Sequence, residues 1–142
     1  MGIGDESTVV VVDADVDGLG SIVGDLLATN LEDRSRRSLV IGASWSVALD
    51  VFDADSVFVL MLGEGRIRIA KEAVKPAEIV IRISGDHLFE VPDTPLLAGL
   101  PDPRSAAGRV LIRRILGGDV GIKGIIHHPL LLRRFLWLLT TA

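Results

Sequence analysis

The distribution of apolar residues predicts an α+β fold, in which a five-stranded, mainly antiparallel sheet is covered on one face by helices. Three observations carry that expectation. Between Trp45 and Ile83, apolar residues recur at every second position in short runs broken by turn residues, which is the side-chain period of a strand. Before and after that region they recur three to four residues apart, the period of a helix with one buried face. The chain has 142 residues, one domain's length, and a domain of that size buries roughly 68% of its unfolded surface, enough for a core between a sheet and a layer of helices.

Residues 1–16 read as an irregular lead-in, to which Thr8–Val12 could add a short strand, and residues 17–142 as a single domain. Asp17 is placed to cap a helix whose apolar residues Leu19, Ile22, Val23, Leu26, Leu27 and Leu31 keep helical spacing to about Asp33. A turn rich in Arg and Ser follows at Arg34–Ser38. Trp45, Val47, Leu49 and Val51 then alternate with smaller or polar residues. Val57–Leu62 is apolar on both faces and predicts a strand covered on both sides. Gly63-Glu64-Gly65 turns the chain into Ile67 and Ile69, and a loop carrying Pro76 leads to Ile79, Ile81 and Ile83. These four strands predict an antiparallel meander. Thr94-Pro95 and Asp102-Pro103 each place a capping residue before a proline, and the second predicts a helix to about Leu116, ended by Gly117-Gly118. Val120 and Ile122 suggest the fifth strand, and His127-His128-Pro129 starts the terminal helix.

Composition bounds the function. The chain has no Cys, so disulfides and thiolate-bound metals are excluded. The first residues lack the basic stretch of a signal peptide, and no apolar run approaches the ~18 residues needed to span a bilayer, so a cytoplasmic protein is expected. The net charge of −4 argues against a nucleic-acid partner. That charge is unevenly spread. Residues 1–33 hold eight acids and no base, whereas residues 104–142 hold seven bases against one acid, Asp119. The simplest arrangement brings the acidic first helix near the basic tail; a basic, apolar face for anionic lipid is the sharper one.

No motif predicts catalysis, a metal or a cofactor. Asp13-Ala14-Asp15-Val16-Asp17-Gly18 copies the opening of a calcium loop, but Gly24 stands where the bidentate Glu is required. Gly18-Leu19-Gly20 with Gly24 mimics a dinucleotide turn, yet three acids lie where a pyrophosphate would sit and no parallel-sheet unit follows. His127 and His128 are adjacent and so point apart, which suits a helix start better than metal ligation. There is no Cys, no Tyr and no Gly-x-Ser-x-Gly elbow, so the chain is not expected to be an enzyme.

The terminal segment carries most of the functional information. From Pro129 to Leu139 the only polar residues are Arg133 and Arg134. A helix apolar nearly all round must be buried by its own domain, by an apolar ligand or by a membrane interface. Arg133, Arg134 and Trp137 fit the last of these, since Arg can extend from an apolar helix into water and Trp favours the polar–apolar boundary. A core-packed helix whose two arginines reach solvent also fits, and a short helix inside a globular domain is commoner than a membrane-seeking one.

Trp45-Ser46-Val47-Ala48-Leu49-Asp50-Val51-Phe52, the strands after it, Pro95-Leu96-Leu97-Ala98-Gly99-Leu100-Pro101, and Gly108-Arg109 with Gly118-Asp119-Val120-Gly121-Ile122-Lys123-Gly124 before an apolar last helix resemble a sterol carrier protein type 2 (SCP-2) sterol-binding domain. The resemblance spans about Leu19 to Leu139 and is strongest with small stand-alone members from actinobacteria. The family's strand usually leads to an acid or Asn, where this chain has Ile125-Ile126. The resemblance implies a five-stranded sheet and helices around an apolar tunnel that takes a sterol, fatty acid or acyl-CoA, with no cofactor. It further implies that Phe58, Leu60 and Met61 of the sheet and Leu131, Phe135 and Leu138 of the last helix line the tunnel, with Leu97, Leu100, Leu111 and Ile115 at its side. Arg133 and Arg134 could meet a lipid headgroup, or touch a membrane surface together with Trp137. Such a site needs a continuous cavity of several hundred Å³. The alternative is an interaction module with no ligand, whose apolar surface packs solidly or forms a homodimer face.

Overall fold

A computed structural model describes residues 9–16, 18–72, 76–94, 96–97, 100–118, 120–124 and 127–140, with Val9, Leu97 and Leu100 described by backbone only. The strands are β1 (Val9–Val12), β2 (Trp45–Val51), β3 (Ser56–Gly63), β4 (Arg66–Ala70), β5 (Ile79–Ile83), β6 (Leu96–Leu97), β7 (Leu100–Pro101) and β8 (Gly121–Lys123). The helices are α1 (Gly18–Asn30), α2 (Arg34–Val40), α3 (Gly85–Glu90), α4 (Ala106–Leu116) and α5 (Pro129–Leu139). One-turn 3-10 segments lie at Phe52–Ala54 and Val91–Asp93. The expected Asp17 cap and Thr94-Pro95 helix start involve residues outside those described.

The fold is α+β, but the sheet corrects the expected topology. Among the described residues it has six strands in the order β1-β4-β3-β2-β5-β8, with β6 and β7 paired separately. Only β2, β3 and β4 form the meander. β5 lies beside β2 and parallel to it, Ile79 opposite Val47 and Ile83 opposite Val51. β4 and β5 therefore run in the same direction, a relation that takes a crossover and that a hairpin cannot make. Alternation sets which side chains share a face and says nothing about which neighbour a strand chooses, so the meander was the wrong extrapolation. The sixth strand is β1, formed within the lead-in and parallel to β4. The sheet is mixed.

The register sorts the side chains into two faces. Val47 pairs with Leu60, Leu49 with Phe58 and Trp45 with Leu62; Leu60 pairs with Ile69 and Leu62 with Ile67; Leu49 also pairs with Ile81, and Ile81 with Ile122. These residues make one continuous apolar face, and the helices pack on it. Met61 stands opposite Ser46 and Arg68, on the other face. It cannot share a surface with Phe58 and Leu60, because its parity in the strand is odd where theirs is even. The outer face is also the more open one. Val57 is 53% exposed, which corrects the expectation that β3 is covered on both sides along its whole length. Arg82 stacks over the Phe52 ring at 4.5 Å there and reaches Asp50 at 3.8 Å.

The helices differ from expectation at their starts. Arg34–Ser38 is helical, since Asp33 caps α2 by accepting from the Ser35 N–H at 3.1 Å and Val40 is buried at its far end. α4 begins at Ala106, because the Ser105 hydroxyl oxygen accepts from the Gly108 N–H at 2.9 Å. Asp102 is occupied one turn earlier by the Arg104 N–H at 2.9 Å. α1 reaches the sheet through glycines: a Cβ on Gly24 would lie 2.6 Å from Val12 Cγ2 and 3.3 Å from Ile69 Cδ1, and one on Gly20 would run into Val16. Of the glycines that mimic a dinucleotide turn, Gly24 thus serves close approach of the helix to β1 and β4, and Gly20 makes room for Val16.

At the sheet edge, β1 is tied by Asp13. Its backbone N–H donates to Ile69 O at 2.9 Å, and its carboxylate accepts from Arg68 Nε at 3.0 Å and Nη2 at 2.8 Å. The hydrogen bond from Arg68 holds the Asp13 carboxyl below the usual carboxylate range. A group depressed in this way stabilises the fold above its unfolded pKa, and the contribution is lost as pH falls through the folded value. Asp13→Asn is expected to lower amide-exchange protection across β1 at neutral pH, with the unmutated chain converging on the variant below the carboxylate range. Equal protection at neutral pH would mean that the fork contributes nothing to holding β1.

Candidate functional site

The terminal helix α5 sets the geometry of a strongly apolar recess that the sheet and helices share. Pro129 occupies its first turn, where a missing N–H costs nothing. Its last carbonyls need partners, and two distant residues supply them: Asn30 Nδ2 donates to Leu138 O at 2.8 Å, and Arg36 Nε donates to Trp137 O at 3.0 Å. The Arg36 cation also complements the negative end of the helix dipole. Asn30 is buried, so this hydrogen bond is shielded from water. α5 is thereby held over the sheet with Leu132, Phe135, Leu136, Leu138 and Leu139 buried.

Beneath α5 lies a crevice lined by thirteen side chains, all apolar: Leu49, Ile81, Ile83 and Ile122 from the sheet, Leu88 and Val91 from α3 and the turn after it, Leu111 and Ile115 from α4, Val120, and Leu132, Phe135, Leu136 and Leu139 from α5. Its volume is about 30 Å³, room for about one water molecule, and a void with no polar wall stays dry. The expected cavity of several hundred Å³ is absent from this crevice. A second recess, of about 320 Å³, lies outside it between α3 and α4, lined by Phe89, Glu90, Asp93, Thr94, Ala107, Val110 and Leu111. Leu111 belongs to both. Glu90 and Arg114 form an ion pair that joins α3 to α4 beside this groove, and the Thr94 hydroxyl donates to Glu90 O at 3.0 Å.

Of the residues expected at a lipid site, Leu111, Ile115 and Phe135 line the crevice. Phe58 and Leu60 are buried on the same sheet face, but further along it and outside the lining. Leu138 is buried and Leu131 half-buried, both off the crevice, while Met61 is on the opposite face of the sheet. The side chains of Leu97 and Leu100 lie outside the described residues. Arg133, Arg134 and Trp137 turn away from the crevice; with Leu130 they follow the spacing i, i+3, i+4, i+7 along the outer side of α5, where Leu130 and Trp137 are exposed. The arginines could have identified the inner face. On a helix the positions opposite an adjacent pair 133–134 are 132, 135, 136 and 139, the four that line the crevice. Leu49, Ile81 and Ile122 had no comparable signal, because their meeting depends on the parallel β2–β5 pairing.

The polar chemistry around the crevice is structural. Asp13, of the calcium-like run, is engaged by Arg68, and the His127 and His128 rings sit 6.5 Å apart at the start of α5. Asp33 and Asp102 are held below the usual carboxylate range, by hydrogen bonds from Ser35 and Arg104 respectively. Among the described residues no group of three His, Asp or Glu could hold a metal ion, and no helix is long and apolar enough to cross a membrane.

No family model and no curated protein matches the chain. Among solved structures it is similar to "UbiJ-SCP2 Ubiquinone synthesis protein", with a TM-score of 0.57 at 16% identity over 86% of this chain and 90% of that one. A solution structure of a conserved hypothetical protein from Thermus thermophilus, described as possibly a sterol carrier protein, superposes with a TM-score of 0.45 at 14% identity, over 86% and 83% of the two chains. The first likeness shows an SCP2-like fold.

The tie between α1 and the end of α5 can be tested on stability. Asn30→Ala leaves the Leu138 carbonyl buried without its partner, and urea unfolding is expected to show a loss of about 1–3 kcal/mol. A change within about ±0.5 kcal/mol, the range of an ordinary surface substitution, would mean that Asn30 does not anchor the helix.

Proposed function

We propose that this chain, with its SCP2-like fold, is a cytoplasmic, non-enzymatic carrier that binds an apolar ligand, a sterol, fatty acid or acyl-CoA-like lipid, in an enlarged form of the crevice beneath α5. One observation carries the reading. Thirteen apolar side chains from the sheet, α3, α4 and α5 converge on a space that they do not fill, with no polar group among them. Capture would come from removing apolar surface from water at ~25 cal/mol per Å². The outer strip of α5 supports a transient contact with an anionic membrane surface, because it alternates the apolar Leu130 and Trp137 with Arg133 and Arg134.

A second reading has one observation in its favour. A crevice of about 30 Å³ is closer to a packed core than to a tunnel, which suits a ligand-free interaction or dimerisation module acting through a protein partner.

Titration with the neutral fluorescent probe N-phenyl-1-naphthylamine separates the two. The carrier reading expects saturable binding at one site, and at least a ten-fold weaker affinity for Val120→Phe, which fills the crevice. A folded Val120→Phe variant that binds the probe as the unaltered chain does would move the site elsewhere, and no probe binding at all would favour the interaction module.

A further inference from the structure

We propose that helix α4 is the door of this site and that the groove between α3 and α4 is its outer chamber, shaped for a long-chain lipid whose head bears no negative charge. The inference rests on the crevice being a ligand site, and it identifies where the missing room comes from. The closed crevice holds about 30 Å³ and the groove beside it about 320 Å³. Leu111 is the side chain the two share. Turning it outward joins them into a volume in the range of small-molecule sites.

α4 is the wall best able to move. Of its eleven residues only Gly108 and Leu111 are buried, whereas α5 buries five and is tied at its end by Asn30 and Arg36. Val110 is 37% exposed and Leu116 82%, so an outward swing of α4 uncovers little that is not already wet. The helix ends at Gly117-Gly118, where Gly118 has φ +85°, and the Val120 N–H donates back to Arg114 O at 3.2 Å, so the crevice wall at Val120 is carried by the end of α4. Among the described residues, the ion pair that ties α4 to α3 is Glu90–Arg114. The Glu90 side chain is 54% exposed, and an ion pair so open to water is a weak latch.

The rim of the chamber favours certain heads. Its charged lining residues are Glu90 and Asp93; Glu90 is compensated by Arg114, which leaves the Asp93 carboxylate as the charge that a ligand head would meet. A carboxylate or phosphate left in the groove would face like charge, while a hydroxyl would not. With the tail passing Leu111 into the crevice, the head of a fatty alcohol or sterol would rest among these residues.

The chain contains no Cys, so thiols can be placed cleanly. Glu90→Cys combined with Arg114→Cys, bridged by dibromobimane, fastens α3 to α4; the same variant with monobromobimane on both thiols carries the added bulk without the tie. Displacement of N-phenyl-1-naphthylamine by 1-dodecanol is then measured on both. The bridged protein is expected to bind dodecanol at least ten-fold more weakly than the untied one, and equal binding would overturn the door. Asp93→Asn is expected to strengthen dodecanoate binding several-fold and leave dodecanol unchanged; unaltered dodecanoate affinity would overturn the preference for an uncharged head. Probe binding that Val120→Phe abolishes but the bridge does not affect would retain the crevice and remove the door. No binding by the unaltered chain would remove both.

Discussion

The apolar face of the sheet is broad and the helices available to cover it are short, so the placement of α5 decides what every other helix can do. That placement is fixed at one end by hydrogen bonds from Asn30 and Arg36 to the carbonyls of Leu138 and Trp137. Because these donors come from α1 and α2, the three helices form one cover over the sheet. α1 in turn is drawn down on β1 and β4 by Gly24, where no side chain could stand between helix and strand. The other end of the sheet, around β5 and β8, is covered by α3 and α4 with fewer buried residues. One part of the cover is thus tied by buried polar groups and the other mainly by contacts around Leu88, Val91 and Leu111. The unfilled space lies where the two parts meet.

The charge asymmetry of the chain is resolved locally more than globally. Asp33 pairs with Arg36, three residues on, and Asp13 with Arg68 on the neighbouring strand. α1 does lie against α5, but it holds a single acid, Asp25, and the other acids of the first 33 residues lie outside it. The ties that matter at that junction are hydrogen bonds to backbone carbonyls. A lone exposed ion pair contributes little, whereas a buried donor such as Asn30 cannot be removed without orphaning its acceptor.

The fold class and the strand limits were legible, because a two-residue period running from Trp45 to Ile83 has few other physical solutions. β2 and β5 were placed to the residue, and an SCP2-like arrangement could be recognised from the Gly-bounded stretch before α5. The pairing of β5 with β2 was not legible: a run such as Ile79–Ile83 presents the same apolar face whichever strand lies beside it. β1 was only half visible, since four valines carry no alternation by which to assign a face. Leu111, Ile115 and Phe135, which only the family resemblance implied, do line the crevice; the arginines that mark the polar sides of α4 and α5 were a signal in the sequence for the same faces. Met61 was misassigned by treating an all-apolar strand as one surface when its parity divides it into two.

A closed crevice and a lipid carrier are compatible only if opening costs less than binding gains. Moving α4 outward exposes the buried Leu111 and more of the half-buried Ile115, at up to about 1.5–3 kcal/mol for each side chain, and loosens an ion pair worth under ~1 kcal/mol. A lipid tail that removes about 300 Å² of its own surface from water would contribute ~7.5 kcal/mol at 25 cal/mol per Å². It would also cover Leu111 again, so part of the opening cost is recovered. The loss of translational freedom takes most of that gain, so a ligand of this reach is held loosely, and micromolar affinity, about −8.2 kcal/mol, needs a longer apolar tail that buries more surface. A preformed tunnel would bind more tightly, but in the empty protein it would leave apolar walls without contacts, and the collapse of Leu111 and Ile115 into the gap avoids that cost.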